Sequence, residues 1–213
     1  MGRWAITNHF KRMATALAPT TAHPKLIAFL PQNLWPWVWD YLKFSFTFRT
    51  SFRTYQHKAK NGVYAIQPNP IGTGIRIAVA GDWGTGTDEA AAIATAMQNP
   101  TPDFTIHLGD VYSVGDDEEI RENCLGQKEN NYDGVKWPHG SRGSFALNGN
   151  HEMYAKGGPY FDTFLTTLGL EGDAEGQVAS FFCLEFEQWR IIAIDTGYNS
   201  VGWPILGANT PRQ

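Results

Sequence analysis

The amino-acid sequence predicts an α/β domain with a mostly parallel sheet. Three observations point to it. Short apolar runs at residues 75–80, 103–108 and 144–148 read as buried strands, and each ends at a glycine followed by a polar residue: Gly81-Asp82, Gly109-Asp110 and Gly149-Asn150. Helical patterns lie between and after these runs. The chain has 213 residues, 42% hydrophobic and 18% charged, which is enough for one domain with a real core and is no disordered composition.

Residues 1–70 form a region of their own. Trp35, Trp37, Trp39 and Tyr41 alternate, as do Phe44, Phe46 and Phe48, with Arg49 and Arg53 close behind. Period two suits a strand packed on a domain, and aromatics beside basic residues suit a membrane interface. Pro68, Pro70 and Gly72 mark a boundary, and the main domain is expected over residues 71–213. Its first strand, residues 75–80, runs into the loop Asp82-Trp83-Gly84-Thr85-Gly86. Thr87 is a plausible N-cap for an Ala-rich helix that stops near Asn99-Pro100. The second strand ends at Gly109-Asp110. Residues 114–142 are polar and acidic and predict a long loop with one short helix over 117–124; loops of that length are usually functional. The acidic run Asp116, Asp117, Glu118, Glu119 is expected to face solvent. The third strand feeds Gly149-Asn150-His151. A helix is expected over 159–168, then two strands, 179–186 and 189–194, joined by a tight turn at Glu187-Gln188.

Charge is split along the chain. Residues 1–60 carry nine Lys/Arg against Asp40 alone, and the remainder carries eight against twenty Asp/Glu. The acidic part is where metals are expected. The basic part suits an anionic membrane surface, or is a solvated leader; no specific nucleic acid is expected. Cys124 and Cys183 make neither a disulfide framework nor a zinc site. Residues 1–21 lack the apolar core of a signal peptide. Residues 26–39 are uncharged but interrupted by Pro31 and Pro36, and a spanning helix needs about 20 apolar residues. No transmembrane segment is expected.

Donors at the carboxyl ends of parallel strands stand where open α/β sheets build their sites. A phosphate ester resists attack because nucleophile and ester repel one another; two metals about 3.5–4 Å apart acidify water and clamp the phosphoryl oxygens. Such a site needs a carboxylate shared by both ions. Asp110 is the natural bridge, with Asp82 on one ion and Asn150 on the other. His151 is better placed to face substrate and protonate the leaving oxygen. The available donors are oxygens, which favours Mg, Mn or Ca over Zn. His107 reads as a core histidine. His139, near Ser141 and Arg142, reads as a loop residue. Asp195 ends a strand near the site. A nucleotide-cradling loop at Gly81-x-x-Gly84-x-Gly86 is the weaker reading, because Asp82 would repel phosphate and no Gly-Lys-Ser/Thr follows.

Gly-Asp-Trp-Gly, Leu-Gly-Asp-Val-Tyr and Gly-Asn-His-Glu, in that order, resemble the calcineurin-like metallophosphoesterase superfamily, and Asp-Trp-Gly resembles its purple-acid-phosphatase-like branch. The resemblance covers about residues 75–200. It implies an αββα sandwich, a dinuclear Fe, Mn or Zn centre and hydrolysis of phosphomonoesters or diesters. It implies that Asp82, Asp110 and Asn150 are metal ligands and that His151 faces substrate. Departures accompany it. Gly84 stands where many members carry a histidine. Ser113 stands where the purple branch carries its tyrosine, with Tyr112 one residue early. No histidine follows His151, and the later Gly-His-x-His block has no counterpart. The expectation is therefore an amino-terminal part of such a domain, weak in catalysis alone. The alternative is a degenerate, non-catalytic binding module held to anionic surfaces by residues 1–60.

Overall fold

The computed structural model describes residues 44, 47–56, 61–70, 73–127 and 134–200. The alternating aromatics Trp35 to Tyr41 and most of the basic region lie outside them. Strands β1 (Val63–Ala65) and β2 (Ile77–Ala80) are followed by helix α1 (Asp88–Gln98), β3 (Phe104–His107), α2 (Asp117–Asn123), β4 (Gly143–Ala146) and the one-turn helix α3 (His151–Tyr154). A π turn (Tyr160–Phe164), a 3-10 turn (Leu165–Thr167), β5 (Gly169–Leu170), β6 (Phe182–Glu185) and β7 (Arg190–Ala193) complete the order.

The strands form two sheets. One has the order β2-β3-β4-β5, the other β1-β6-β7. The α/β class is as expected, with β2, β3 and β4 parallel in register, Ala80 beside His107 beside Ala146. β5 and β7 run antiparallel to their neighbours.

The period of two in each strand divides the interior into two cores. From β3, Phe104 and Ile106 turn toward the second sheet, where they join Tyr64, Phe145, Phe182 and Leu184. Fully burying each such aromatic or aliphatic side chain is worth about 1.5–3 kcal/mol. On the other face, β3 presents Thr105 and His107. There Trp137 donates its indole N–H to Thr105 at 3.2 Å and its ring lies 4.6 Å from that of His107. This second core, with Trp83, Ile120, Met153, Tyr160 and Phe164, seats the helices on the first sheet. A helix layer, two sheets and an apolar core between them agree with the layered α/β fold that the resemblance implies. His107 is thus a core histidine, as expected. Burial holds it down at about 3.

α1 starts where expected: the Thr87 hydroxyl accepts the Ala90 N–H at 3.4 Å. The helix expected over 159–168 is instead a π turn followed by a 3-10 turn. The hydroxyls of Thr166 and Thr167 bond back to the carbonyls of Thr163 and Phe164 at 2.8 Å, and the Leu165 carbonyl accepts Gln177 N–H at 3.0 Å. These bonds compete for the carbonyls a regular helix would use. Before β1, the backbone at Thr50 is tied to Lys156 by a 2.9 Å hydrogen bond, and Phe52 stacks on Phe181.

Candidate functional site

The register aligns the carboxyl ends of β2, β3 and β4 side by side, and each strand continues into one of the three predicted donor segments. Asp82 donates its backbone N–H to the Gly109 carbonyl at 3.0 Å, and Trp83 donates to the Asp110 carbonyl at 2.9 Å. The first two loops therefore run together as a short extension of the sheet, closed by a bridge between Trp83 and Val111. Trp83 anchors the first loop from inside, donating its indole N–H to the Asn123 and Val135 carbonyls at 2.8 and 2.9 Å.

Both aspartates adopt left-handed backbone, with φ of 54° at Asp82 and 63° at Asp110. A non-glycine residue there costs about 1–3 kcal/mol and persists only where its surroundings impose it; such positions cluster at functional sites. Among the described residues neither carboxylate pairs with a Lys or Arg. Tyr112 donates its hydroxyl to Asp82. Burial, followed by that hydrogen bond and the charges of Asp82, Asp110 and Glu152, pushes the Tyr112 phenol well above its ordinary range, which keeps it the proton donor to Asp82.

The third loop sits close to Asp110. A Cβ on Gly149 would fall 2.0 Å from the Asp110 Oδ1 atom, so only glycine admits the carboxylate here. The same oxygen accepts the His151 backbone N–H at 3.1 Å. Asn150 donates Nδ2 to the Tyr154 hydroxyl at 3.1 Å, which leaves its amide oxygen as the end for a cation. The His151 ring lies between Tyr112 and Tyr154, at 4.5 and 5.2 Å. Its Nδ1 is 2.6 Å from the Ser113 carbonyl, which can only accept, so Nδ1 carries a proton and Nε2 is left for other chemistry. Asp82 is exposed, while Asp110, Asn150 and His151 are half-buried, so solvent and substrate reach the site.

The acidic run proves to be only partly a solvated face. Asp117 is exposed, but Asp116 and Glu119 are buried, because Asp116 caps α2 and Glu119 bonds back to the backbone of the cap and of the preceding loop. Glu119 accepts the N–H groups of Ser113, Val114 and Asp116 at 2.6, 3.0 and 3.2 Å. Glu152, fully buried, accepts those of Asp110, Val111 and Gly149 at 3.2, 2.7 and 2.8 Å. Neither role was read from the sequence. The Asp116-x-x-Glu119 spacing of a capping box was the available cue for the first. Asp195 accepts Ser180 Oγ–H and the backbone N–H groups of Gly197 and Tyr198, the latter at 2.9 and 2.8 Å. It thereby braces the turn that packs on Asn148 and Gly149.

Two carboxylates without a Lys or Arg partner among the described residues, and an amide oxygen, fit a hard oxygen-preferring cation. They do not complete a pair of ions. Among the described residues no group of three or more His, Cys, Asp or Glu is arranged to hold a metal. Among the same residues no helix is long and apolar enough to cross a membrane.

The family model described as calcineurin-like phosphoesterase matches residues 75–205. No curated protein and no solved structure matches the chain.

Proposed function

The chain belongs to the calcineurin-like phosphoesterase family, and on that premise we propose that it hydrolyses phosphate monoesters or diesters at Asp82, Asp110, Asn150 and His151. The family generally uses a dinuclear metal centre. Asp82, Asp110 and Asn150 would hold such ions, with Asp110 the carboxylate available to both. When bound, the ions supply Lewis acidity that acidifies water and neutralises phosphoryl oxygens. The protein's own residues do the rest. Tyr112 steadies the Asp82 carboxylate. Tyr154 takes the Asn150 amide nitrogen and turns its oxygen to the ligand role. His151, fixed through Nδ1–H on the Ser113 carbonyl, leaves Nε2 to face the leaving oxygen, where general acid chemistry is needed.

The observation that carries this reading is the pair of left-handed aspartates at adjacent parallel strand ends, without a Lys or Arg partner among the described residues. The oxygen donors favour Mn or Mg over Fe or Zn. With so few ligands, ion affinity is weak and turnover by this chain is slow. The Asp82-Trp83-Gly84 loop supports the purple-acid-phosphatase-like branch, and Ser113 in the branch's tyrosine position argues against a tyrosinate-to-iron colour. Calorimetric titration with Mn²⁺ and an aryl-phosphate assay test the reading. Weak ion binding with slow, Mn²⁺-dependent turnover is expected. Absence of any ion binding would refute the metal site, and tight binding of two ions with rapid turnover would refute the weak one.

The short donor set also favours a second reading, a non-catalytic module that meets anionic membrane through residues 1–60. Liposome sedimentation distinguishes it. Salt-sensitive binding to anionic vesicles is its expected sign, and no binding even at low salt counts against it.

A further inference from the structure

We infer that the buried carboxylates Glu119 and Glu152 are positioning residues that clamp the Asp110 loop into its working shape and, through it, aim His151. Their place in catalysis rests on the phosphoesterase reading; the clamp stands on geometry alone. Backbone N–H groups taken away from water need a partner. Here five consecutive backbone N–H groups are taken up internally. Those of Asp110 and Val111 go to Glu152, that of Tyr112 to the Trp83 carbonyl at 2.7 Å, and those of Ser113 and Val114 to Glu119.

Glu152 also accepts from Gly149, so one carboxylate joins the loop bearing Asp110 to the loop bearing Asn150 and His151. The two loops are in backbone contact: a Cβ on Gly115 would lie 2.7 Å from the Glu152 Cα atom. Glu119 works at one remove. It fixes Ser113 by its N–H, and the Ser113 carbonyl in turn fixes the His151 ring.

Burying a carboxylate is unfavourable, and three N–H donors each, in charge-assisted bonds, offset that. A neutral polar residue would satisfy the loop less well, because Gln offers one acceptor oxygen and an NH₂ that would face backbone N–H groups.

The test uses Glu152→Gln and Glu119→Gln in the full chain, followed by amide hydrogen exchange by NMR and by Mn²⁺ titration. In Glu152→Gln the amides of Asp110, Val111 and Gly149 should exchange about tenfold faster or more, while those of Ile106 and Phe145 in the strands hold. Its Mn²⁺ dissociation constant should rise about 10-fold or more, the range typical for residues that orient ligands. In Glu119→Gln the amides of Ser113, Val114 and Asp116 should loosen, and the ring ¹⁵N shifts of His151 should report loss of the fixed Nδ1–H form. Where a Gln variant does not fold, the Asp variant, which keeps the charge but draws it back by one methylene, takes the same test. Unchanged loop exchange, or, where the wild type binds Mn²⁺, unchanged affinity in a Glu152 variant, overturns the inference. Loosened loops in a protein whose wild type binds no Mn²⁺ support the clamp and refute the metal reading.

Discussion

Gly109→Ala is the sharpest single perturbation of the site. Gly109 has φ of 95°, and a Cβ there would fall 2.2 Å from the Gly149 nitrogen and 2.5 Å from the Asn148 carbonyl carbon, inside the 3.0 Å that real Cβ atoms keep. The left-handed backbone alone costs about 1–2 kcal/mol. Forcing a methyl against backbone that cannot rotate away adds about 1–3 kcal/mol. The expected loss is therefore about 2–5 kcal/mol, within the roughly 5–15 kcal/mol that holds a domain together. The carboxyl ends of β3 and β4 must move apart, and Asp110 moves away from Asn150. A shift near 1 Å in a catalytic constellation costs about 100-fold. Gly172 supplies the control: its φ is 78°, but nothing lies within 4 Å of where an added methyl would stand. Gly172→Ala should therefore show the backbone strain without the collision. Urea denaturation of both variants, with Mn²⁺ titration, measures the two contributions. If Gly109→Ala loses no more stability than Gly172→Ala and binds Mn²⁺ like wild type, the close approach of the two loops is wrong.

Trp83→Phe keeps the ring against Trp137 but removes an N–H shared by two carbonyls; urea denaturation should show a loss of about 1–3 kcal/mol, and none if the anchor is unimportant. His107 sits at about 3 in the fold against 6.5 unfolded. Between those values the unfolded chain binds the extra proton, so His107 lowers stability as pH falls below 6.5, by at most about 1.4 kcal/mol per unit, and has no effect above it. In His107→Asn, which keeps an acceptor for the Gly109 N–H, that acid sensitivity should vanish. The stability gap between wild type and variant should then shrink from about pH 7 to about pH 4.5 in denaturation curves, whereas a constant gap would show that His107 does not stay neutral. Tyr154→Phe frees the Asn150 amide. Mn²⁺ affinity should drop severalfold with little change in stability, and unchanged affinity would remove Tyr154 from the site.

The parts of this site that were legible in the sequence are those set by local chemistry. Gly81, Gly109 and Gly149 close apolar runs, and parallel pairing then brings Asp82, Asp110 and Asn150 to one edge. α1 was legible because Thr87 caps it and Asn99-Pro100 ends it. What escaped depends on distant partners. β1 is three residues long and exists because it pairs with β6, with Val63 beside Cys183; nothing within Val63-Tyr64-Ala65 foretells that. Glu119 and Glu152 look like surface acids in sequence, and only the loop backbone folded around them makes burial favourable. Tyr112 and Tyr154 show their roles only once Asp82 and Asn150 stand beside them.

Asp110 is the ligand on which the proposed metal-dependent hydrolysis turns. The most direct test is Mn²⁺-dependent hydrolysis of an aryl phosphate by wild type and Asp110→Asn, each stripped with chelator and then reloaded. The expected result is slow wild-type turnover that disappears with chelator, returns with Mn²⁺, and is absent in Asp110→Asn although that variant remains folded. Turnover that survives chelation, or an Asp110→Asn protein as active as wild type, would contradict it.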